Sequence, residues 1–196
     1  MSEIIHSEAA AIQNIKVNDD FERAVNLMLN CEGKIITTGI GKAGYIANKF
    51  AATMASTGTP AFFVHPAEAG HGDMGMISEQ DIIIAFSTSG KSIEVLEMLE
   101  NASHLGVTHI IGITSHIDSP LRDYSKIVLD MGEDIVEACP LKLAPSASIA
   151  VMLAISDALA LTLMELKGIT SHDYGMRHHK GYLGSITRKQ HKYDNE

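Results

Sequence analysis

Cysteine is scarce in this sequence: Cys31 and Cys139 stand alone, too few for a disulfide scaffold and without the paired spacing that holds zinc. A reducing, cytoplasmic setting is the simplest expectation. Positive charge is also short, with 15 Lys and Arg against 24 Asp and Glu and a formal net charge of -9. Nucleic acid or an anionic membrane would meet a repulsive field, so an anionic ligand must be small and locally caged. The opening "MSEIIHSEAAAIQN" lacks the basic flank and long apolar core of a signal peptide. The longest apolar stretch, 149–166, is interrupted by Ser156, Asp157 and Thr162 and carries Glu165 near its end. That argues against a spanning helix, and no membrane partner is expected. No repeat, linker or charge block divides the 196 residues, so one domain covering 1–196 is expected, with an irregular tail from about 168.

What is present is a rhythm. Short β-branched or aromatic runs at 34–38, 61–64, 81–86 and 108–113, and a weaker one at 126–129, alternate with longer helix-compatible stretches. This is the pattern of an α/β fold whose parallel strands are covered on both faces. An amphipathic helix is expected over 21–30, where Phe21, Val25, Met28 and Leu29 form a stripe. From about 146 to 166 a second helix is apolar almost all round, as expected of one buried in a core or against another subunit.

Two strand ends run into glycine-containing loops. The first, Gly39-Ile40-Gly41-Lys42-Ala43-Gly44, has the G-x-G-x-x-G spacing, a weak signal alone because no acidic partner follows the next strand. The second is "FSTSGKSIE", residues 86–94, where an apolar run ends in hydroxyls. Ser87, Ser89 and Ser92, with the free amides of a helix start, make a neutral donor cage for a phosphate; a single N-cap needs only one serine. In an open sheet of order 2-1-3-4-5 both loops flank the point where the strand order reverses, the usual ligand crevice. The segment "HPAEAGHGDMGMI", 65–77, is a long polar loop of the kind that often carries function. Its His65, Glu68, His71 and Asp73 match no strong zinc spacing, and no metal is expected. Glu94, Glu137 and the pair His178 and His179 complete the candidate acid–base groups; taken singly, each also reads as a solvated or dipole-stabilising side chain.

Taken together, "GIGKAGYIANKFAATMASTGTPAFFVHPAEAGHGDMGMI", "STSGKSIE", "EACPLKLAPSAS" and "RHHKGYLG" resemble the sugar isomerase (SIS) domain of D-arabinose-5-phosphate isomerases. The resemblance runs to about Gly184 with the motifs in family order. It implies a three-layer sandwich around a five-stranded parallel sheet in flavodoxin-like order 2-1-3-4-5, usually assembled as a homotetramer. It also implies interconversion of D-ribulose 5-phosphate and D-arabinose 5-phosphate without a cofactor, feeding synthesis of 3-deoxy-D-manno-octulosonate for lipopolysaccharide. By position, the family's catalytic groups fall on Lys42, His71, Glu94, Glu137 and His178. Its substrate contacts fall on Gly41, Ser87, Thr88, Ser89, Ser92 and His179. The chain departs from the family at Ala43, where a serine is frequent; at Lys91, where a glutamate is frequent; and at His179-Lys180, where Pro-Gly is frequent. Paired cystathionine-β-synthase domains, appended in longer members, are not in these residues, so the resemblance is to a short form.

Aldose–ketose isomerisation needs a base for a carbon-bound proton, polarisation of the carbonyl and an oxygen-to-oxygen proton shuttle. On this reading Glu94 moves the proton through an enediol, His178 assists ring opening and oxygen proton transfer, and Lys42 and His71 stabilise the enediolate; Glu94 and His178 can exchange roles. A downstream sugar nucleotide acting in the cleft is an expected feedback inhibitor. The alternatives are a non-catalytic phosphosugar-binding regulatory module, or an isomerase of another phosphosugar.

Overall fold

The computed structural model describes residues 1–193, with side chains as far as Thr187. Five parallel strands form one sheet: β1 (Ile35–Gly39), β2 (Ala61–Phe63), β3 (Ile82–Phe86), β4 (His109–Thr114) and β5 (Ile127–Asp130). Their order is β2-β1-β3-β4-β5, as expected, and each expected strand boundary lies within one residue of the observed one. The register is continuous across the centre: Ile36 pairs with Phe62 on one side and Ile83 on the other, and Ile83 pairs with Ile110.

Strand alternation divides the core into two layers. Ile82, Ile84 and Phe86 face a layer built by α2 (Asp19–Leu29), α3 (Gly41–Ser56) and α7 (Ala147–Leu166). Ile83 and Ala85 face α4 (Pro66–Ala69), α5 (Ile93–His104) and α6 (Leu121–Tyr124). Both faces are covered, which is why the strands read as unbroken apolar runs. The spacing of the first glycine loop has a packing reason: a Cβ on Gly44 would lie 2.5 Å from the Gly39 carbonyl oxygen. A glycine there lets α3 start tight against β1.

The apolar α7 runs back along the sheet. By length and composition it could cross a membrane, but half of it is buried inside this fold, through Val151, Met152, Ile155, Leu159 and Leu163. Its other side leaves Leu161 and Leu166 each 54% exposed. α1 (Ser2–Gln13), which the sequence pattern did not announce, packs across α7. At the amino edge of the strands Asp81 is fully buried and accepts hydrogen bonds from the Lys34 amide (2.9 Å), the Lys34 ammonium (2.7 Å) and the Ser78 amide (2.8 Å).

The stretch expected to be irregular from about 168 is helical instead, forming α8 (Ser171–Arg177) and α9 (Gly181–Tyr193). A capping box explains the first: the Asp173 amide donates to the Thr170 hydroxyl (3.1 Å) and the Thr170 amide donates to the Asp173 carboxylate (2.9 Å). This satisfies two of the orphan donors of the helix start. The glycines and histidines that suggested an irregular tail sit between these helices as well as within them.

Candidate active site

At the carboxyl ends of β1, β3 and β4 a cleft of about 350 Å³ opens where the strand order reverses between β1 and β3. One wall comes from the β1–α3 turn, with Ile40, Lys42 and Ala43; the floor is the β3–α5 loop, with Ser87, Thr88, Ser89 and Ser92. His116, from the loop after β4, closes one side. Glu137, Leu143 and Pro145 from the β5–α7 segment close the other, with Ser148 and Ile149 from the first turn of α7.

The serine loop is organised from within. Ser87 Oγ and Ser92 Oγ lie 3.1 Å apart, and the Lys91 amide donates to Ser89 Oγ at 3.2 Å. Gly90 takes a φ of +62°, which favours glycine, and a Cβ there would sit 2.2 Å from Ser119 Oγ. The Thr88 carbonyl accepts from the Ser115 amide (3.0 Å), from the hydroxyls of Thr114 and Ser115 (3.0 Å each), and faces His116 Nδ1 at 3.1 Å. A carbonyl held by that many donors points into the protein, which leaves the hydroxyls and the start of α5 to face the cleft. Clustered hydroxyls at the amino end of a twelve-residue helix attract an oxyanion.

Glu137 is a different kind of group. Its carboxylate accepts from the Ser146 amide (2.7 Å), the Ser146 hydroxyl (3.1 Å), the Ser148 amide (3.4 Å) and the Ser148 hydroxyl. It thereby caps α7 from outside the helix. Burial pushes the carboxyl up, but the bonds from Ser148 and Ser146 outweigh that and hold it below the usual carboxylate range. In the same loop the Cys139 thiol accepts from the amides of Ala144 (3.1 Å) and Leu143 (3.2 Å), which lower its proton affinity.

Of the residues expected at the site, Lys42, Ser87, Thr88, Ser89, Ser92 and Glu137 are brought into this one cleft. Gly41 begins α3 beside it, and Glu94 lies half-buried in the first turn of α5, outside the lining. His71 is exposed in the segment after α4, ahead of the 3-10 turn Asp73–Met76. His178 and His179 do not reach the cleft of their own chain. α7 carries the backbone away to the amino edge, where Lys167 donates to Thr59 Oγ1 (2.8 Å) and Ile169 packs on Gly58. His178 follows α8, stacked on Tyr174 with ring centroids 4.0 Å apart and Nδ1 3.0 Å from the Tyr174 carbonyl oxygen. Sequence reasoning missed His116 and Ser148. The rule that placed ligands beyond strand ends applied to β4 as well, and "ITSH" ends that strand.

The SIS domain model matches residues 28–162. The chain belongs to the SIS domain family. Arabinose 5-phosphate isomerase KdsD of Pseudomonas aeruginosa is 46% identical over 171 residues, 86% of this chain and 51% of that relative. This SIS chain thus spans about half the length of the curated relatives it matches. Among solved structures, an Escherichia coli CFT073 protein in complex with arabinose 5-phosphate is 38% identical with a TM-score of 0.86, covering 90% of this chain and 94% of that one. A Bacteroides fragilis structure is 40% identical with a TM-score of 0.88, covering 92% and 96%. The family, sheet order and layered architecture implied by the sequence resemblance are therefore as expected.

Proposed function

We propose that this SIS domain is an aldose–ketose isomerase interconverting D-ribulose 5-phosphate and D-arabinose 5-phosphate. The observation that carries the reading is the single cleft in which a serine cage suited to phosphate faces Lys42 and Glu137 at the switch point of the sheet. The names of its relatives favour the pentose phosphate among phosphosugars.

The phosphate docks on Ser87, Ser89 and Ser92, with Gly41 and Thr88 shaping the adjoining backbone. Glu94 takes a proton from C1 of the ketose and returns it to C2 of the enediol, while a proton passes from O1 to O2. Lys42 stabilises the negative oxygens of the enediolate, where preorganised donors contribute most, and His71, outside the cleft lining of its own chain, has that task only if a neighbouring copy or a movement of its loop brings it in. Glu137, with its oxygens already engaged, holds the α7 start and the cleft wall in place and takes no substrate proton. His178, or His179 beside it, serves ring opening and oxygen proton transfer from a neighbouring copy, because its own cleft lies at the other end of the strands. That arrangement requires an oligomer, and the exposed side of α7, with Leu161 and Leu166, gives it an apolar face. A cytoplasmic homotetramer supplying 3-deoxy-D-manno-octulosonate synthesis for lipopolysaccharide, inhibited in the cleft by a downstream sugar nucleotide, completes the reading. The reaction needs no metal or redox cofactor.

Proton NMR of the purified protein with D-ribulose 5-phosphate in deuterated water, without added metal, tests it. D-arabinose 5-phosphate is the expected product. Unchanged substrate that still shows saturation transfer from the protein would instead establish a binding module or a different phosphosugar substrate.

A further inference from the structure

We propose that His116 is a proton-coupled phosphate ligand: it joins the serine loop in holding the substrate's phosphate and binds that phosphate together with one proton. The inference deepens the reading above and rests on it for the ligand's chemical class.

The contacts of His116 favour one ring nitrogen as the free one. His116 Nδ1 lies 3.1 Å from the Thr88 carbonyl oxygen and 3.0 Å from Ser115 Oγ. A carbonyl oxygen can only accept, so we assign the ring hydrogen to Nδ1; the Ser115 hydroxyl, 3.0 Å from the same carbonyl, can turn to either neighbour. In the neutral ring Nε2 is then the bare nitrogen. The ring lines the cleft beside Ser87, Ser89 and Ser92 and is exposed, so Nε2 is accessible to a ligand seated on the serines. It also walls a smaller hollow of about 170 Å³ lined by Lys91, Asp118 and Glu133. The main chain is held as well: Arg122 Nε donates to the His116 carbonyl at 2.8 Å.

A phosphate monoester is mostly dianionic above about pH 7, its second pKa being ≈ 6. A bare Nε2 facing a dianion is two acceptors face to face. The contact becomes a hydrogen bond when one proton from solvent enters, whether it resides on Nε2 or on the phosphate oxygen, and the proton count is the same either way. The charged groups around the ring are of both signs: Asp118, Glu133 and Lys91 beside it, Arg122 paired with Asp130 behind it, and Lys42 and Glu137 across the cleft. Proton uptake therefore matches binding to the charge of the ligand, since a dianion recruits it and a neutral sugar does not.

Two probes separate the inference from the function it rests on: D-arabinitol 5-phosphate, which cannot isomerise, and inorganic sulfate, which has neither a sugar nor a proton to lose near neutrality. The variant H116N keeps an amide donor near the position of Nδ1, and so the bond to Thr88, but removes Nε2. Calorimetry in buffers of different ionisation enthalpy counts the protons. In the wild type, uptake approaching one proton and affinity rising roughly three- to tenfold per unit fall in pH between 8 and 6.5 are expected for both probes. In H116N both effects are lost. Equal proton uptake and pH slope in the two proteins overturns the inference while leaving the isomerase reading intact. Coupled sulfate binding without binding of the polyol phosphate supports His116 and removes the pentose assignment. Absence of binding by both probes overturns the phosphate cage itself and His116 with it.

Discussion

Replacing Glu137 with glutamine tests whether this carboxylate is a structural cap. In the native loop four donors, two amides and two hydroxyls, converge on its two oxygens. Glutamine keeps one oxygen, which turns to the amides of Ser146 and Ser148, while its amino group donates to the Ser148 hydroxyl, which rotates to accept. The contacts survive and only their charge is lost, which makes each bond weaker by about 1 kcal/mol. Glu137 is only half-buried and water can replace part of the loss, so the net cost expected is about 2 kcal/mol. With a urea m-value of about 2 kcal/mol/M for a domain of this size, the midpoint falls by about 1 M at fixed protein concentration. The sign of the pH dependence follows from the depressed carboxyl. Its stabilisation is fully present above the unfolded value of about 4.3 and is lost as pH falls through the lower folded value. The gap between wild type and E137Q should therefore be constant from pH 6 to 8 and close below about pH 4. A midpoint shift under about 0.3 M at pH 7, or a gap that persists in acid, would refute the capping argument.

Four further outcomes are expected. Glu94→Gln should lower turnover by about two to four powers of ten while largely sparing substrate affinity, and near-normal turnover removes it as the carbon base. The double change Ser87→Ala and Ser92→Ala removes the paired hydroxyls and should raise KM by about tenfold or more, read by steady-state kinetics with a sugar phosphate and, as control, unchanged thermal stability within a few degrees. At Asp81 burial raises the carboxyl, but bonds from Lys34 and Ser78 outweigh it and leave it lowered; Asp81→Asn should cost about 3 kcal/mol in urea unfolding at pH 7 and progressively less as acid protonates the native carboxylate. Cys139 should be alkylated by iodoacetamide well before Cys31, because main-chain amides lower the first thiol while burial raises the second. Peptide mapping at partial modification that finds Cys31 labelled first contradicts this.

The strands were readable because their signal is local and redundant. Ile82, Ile83 and Ile84 need burial on both faces, and a five-residue run of that kind between helical stretches has few other uses in a chain this size. The serine loop was readable for a related reason: more hydroxyls follow Phe86 than a helix cap requires. α1 and the two tail helices were not, since their stabilisation comes from neighbours distant in sequence. α1 has no buried residue and lies on the outer side of α7, and α8 depends on a capping box hidden among glycines and histidines. Tertiary packing there decides what propensity leaves open.

The site residues divide along the same line. Lys42 and the serines stand at strand ends, so the sheet alone converges them, and knowing the strand order amounts to knowing that they meet. His116 stands at such an end too; the contact of its Nδ1 with the Thr88 carbonyl is made only in the fold. Glu137 joins the group through the entry of α7, but its oxygens are already committed to that helix. His178 is the opposite case, because a 20-residue helix separates it from the cleft. At 1.5 Å per residue that helix displaces the chain by about 30 Å, more than the side chain of a histidine can recover. A histidine so placed can act only on another copy's substrate. Dilution should then reduce turnover per protomer in step with dissociation, while phosphate binding, built entirely within one chain, survives in the separated subunits.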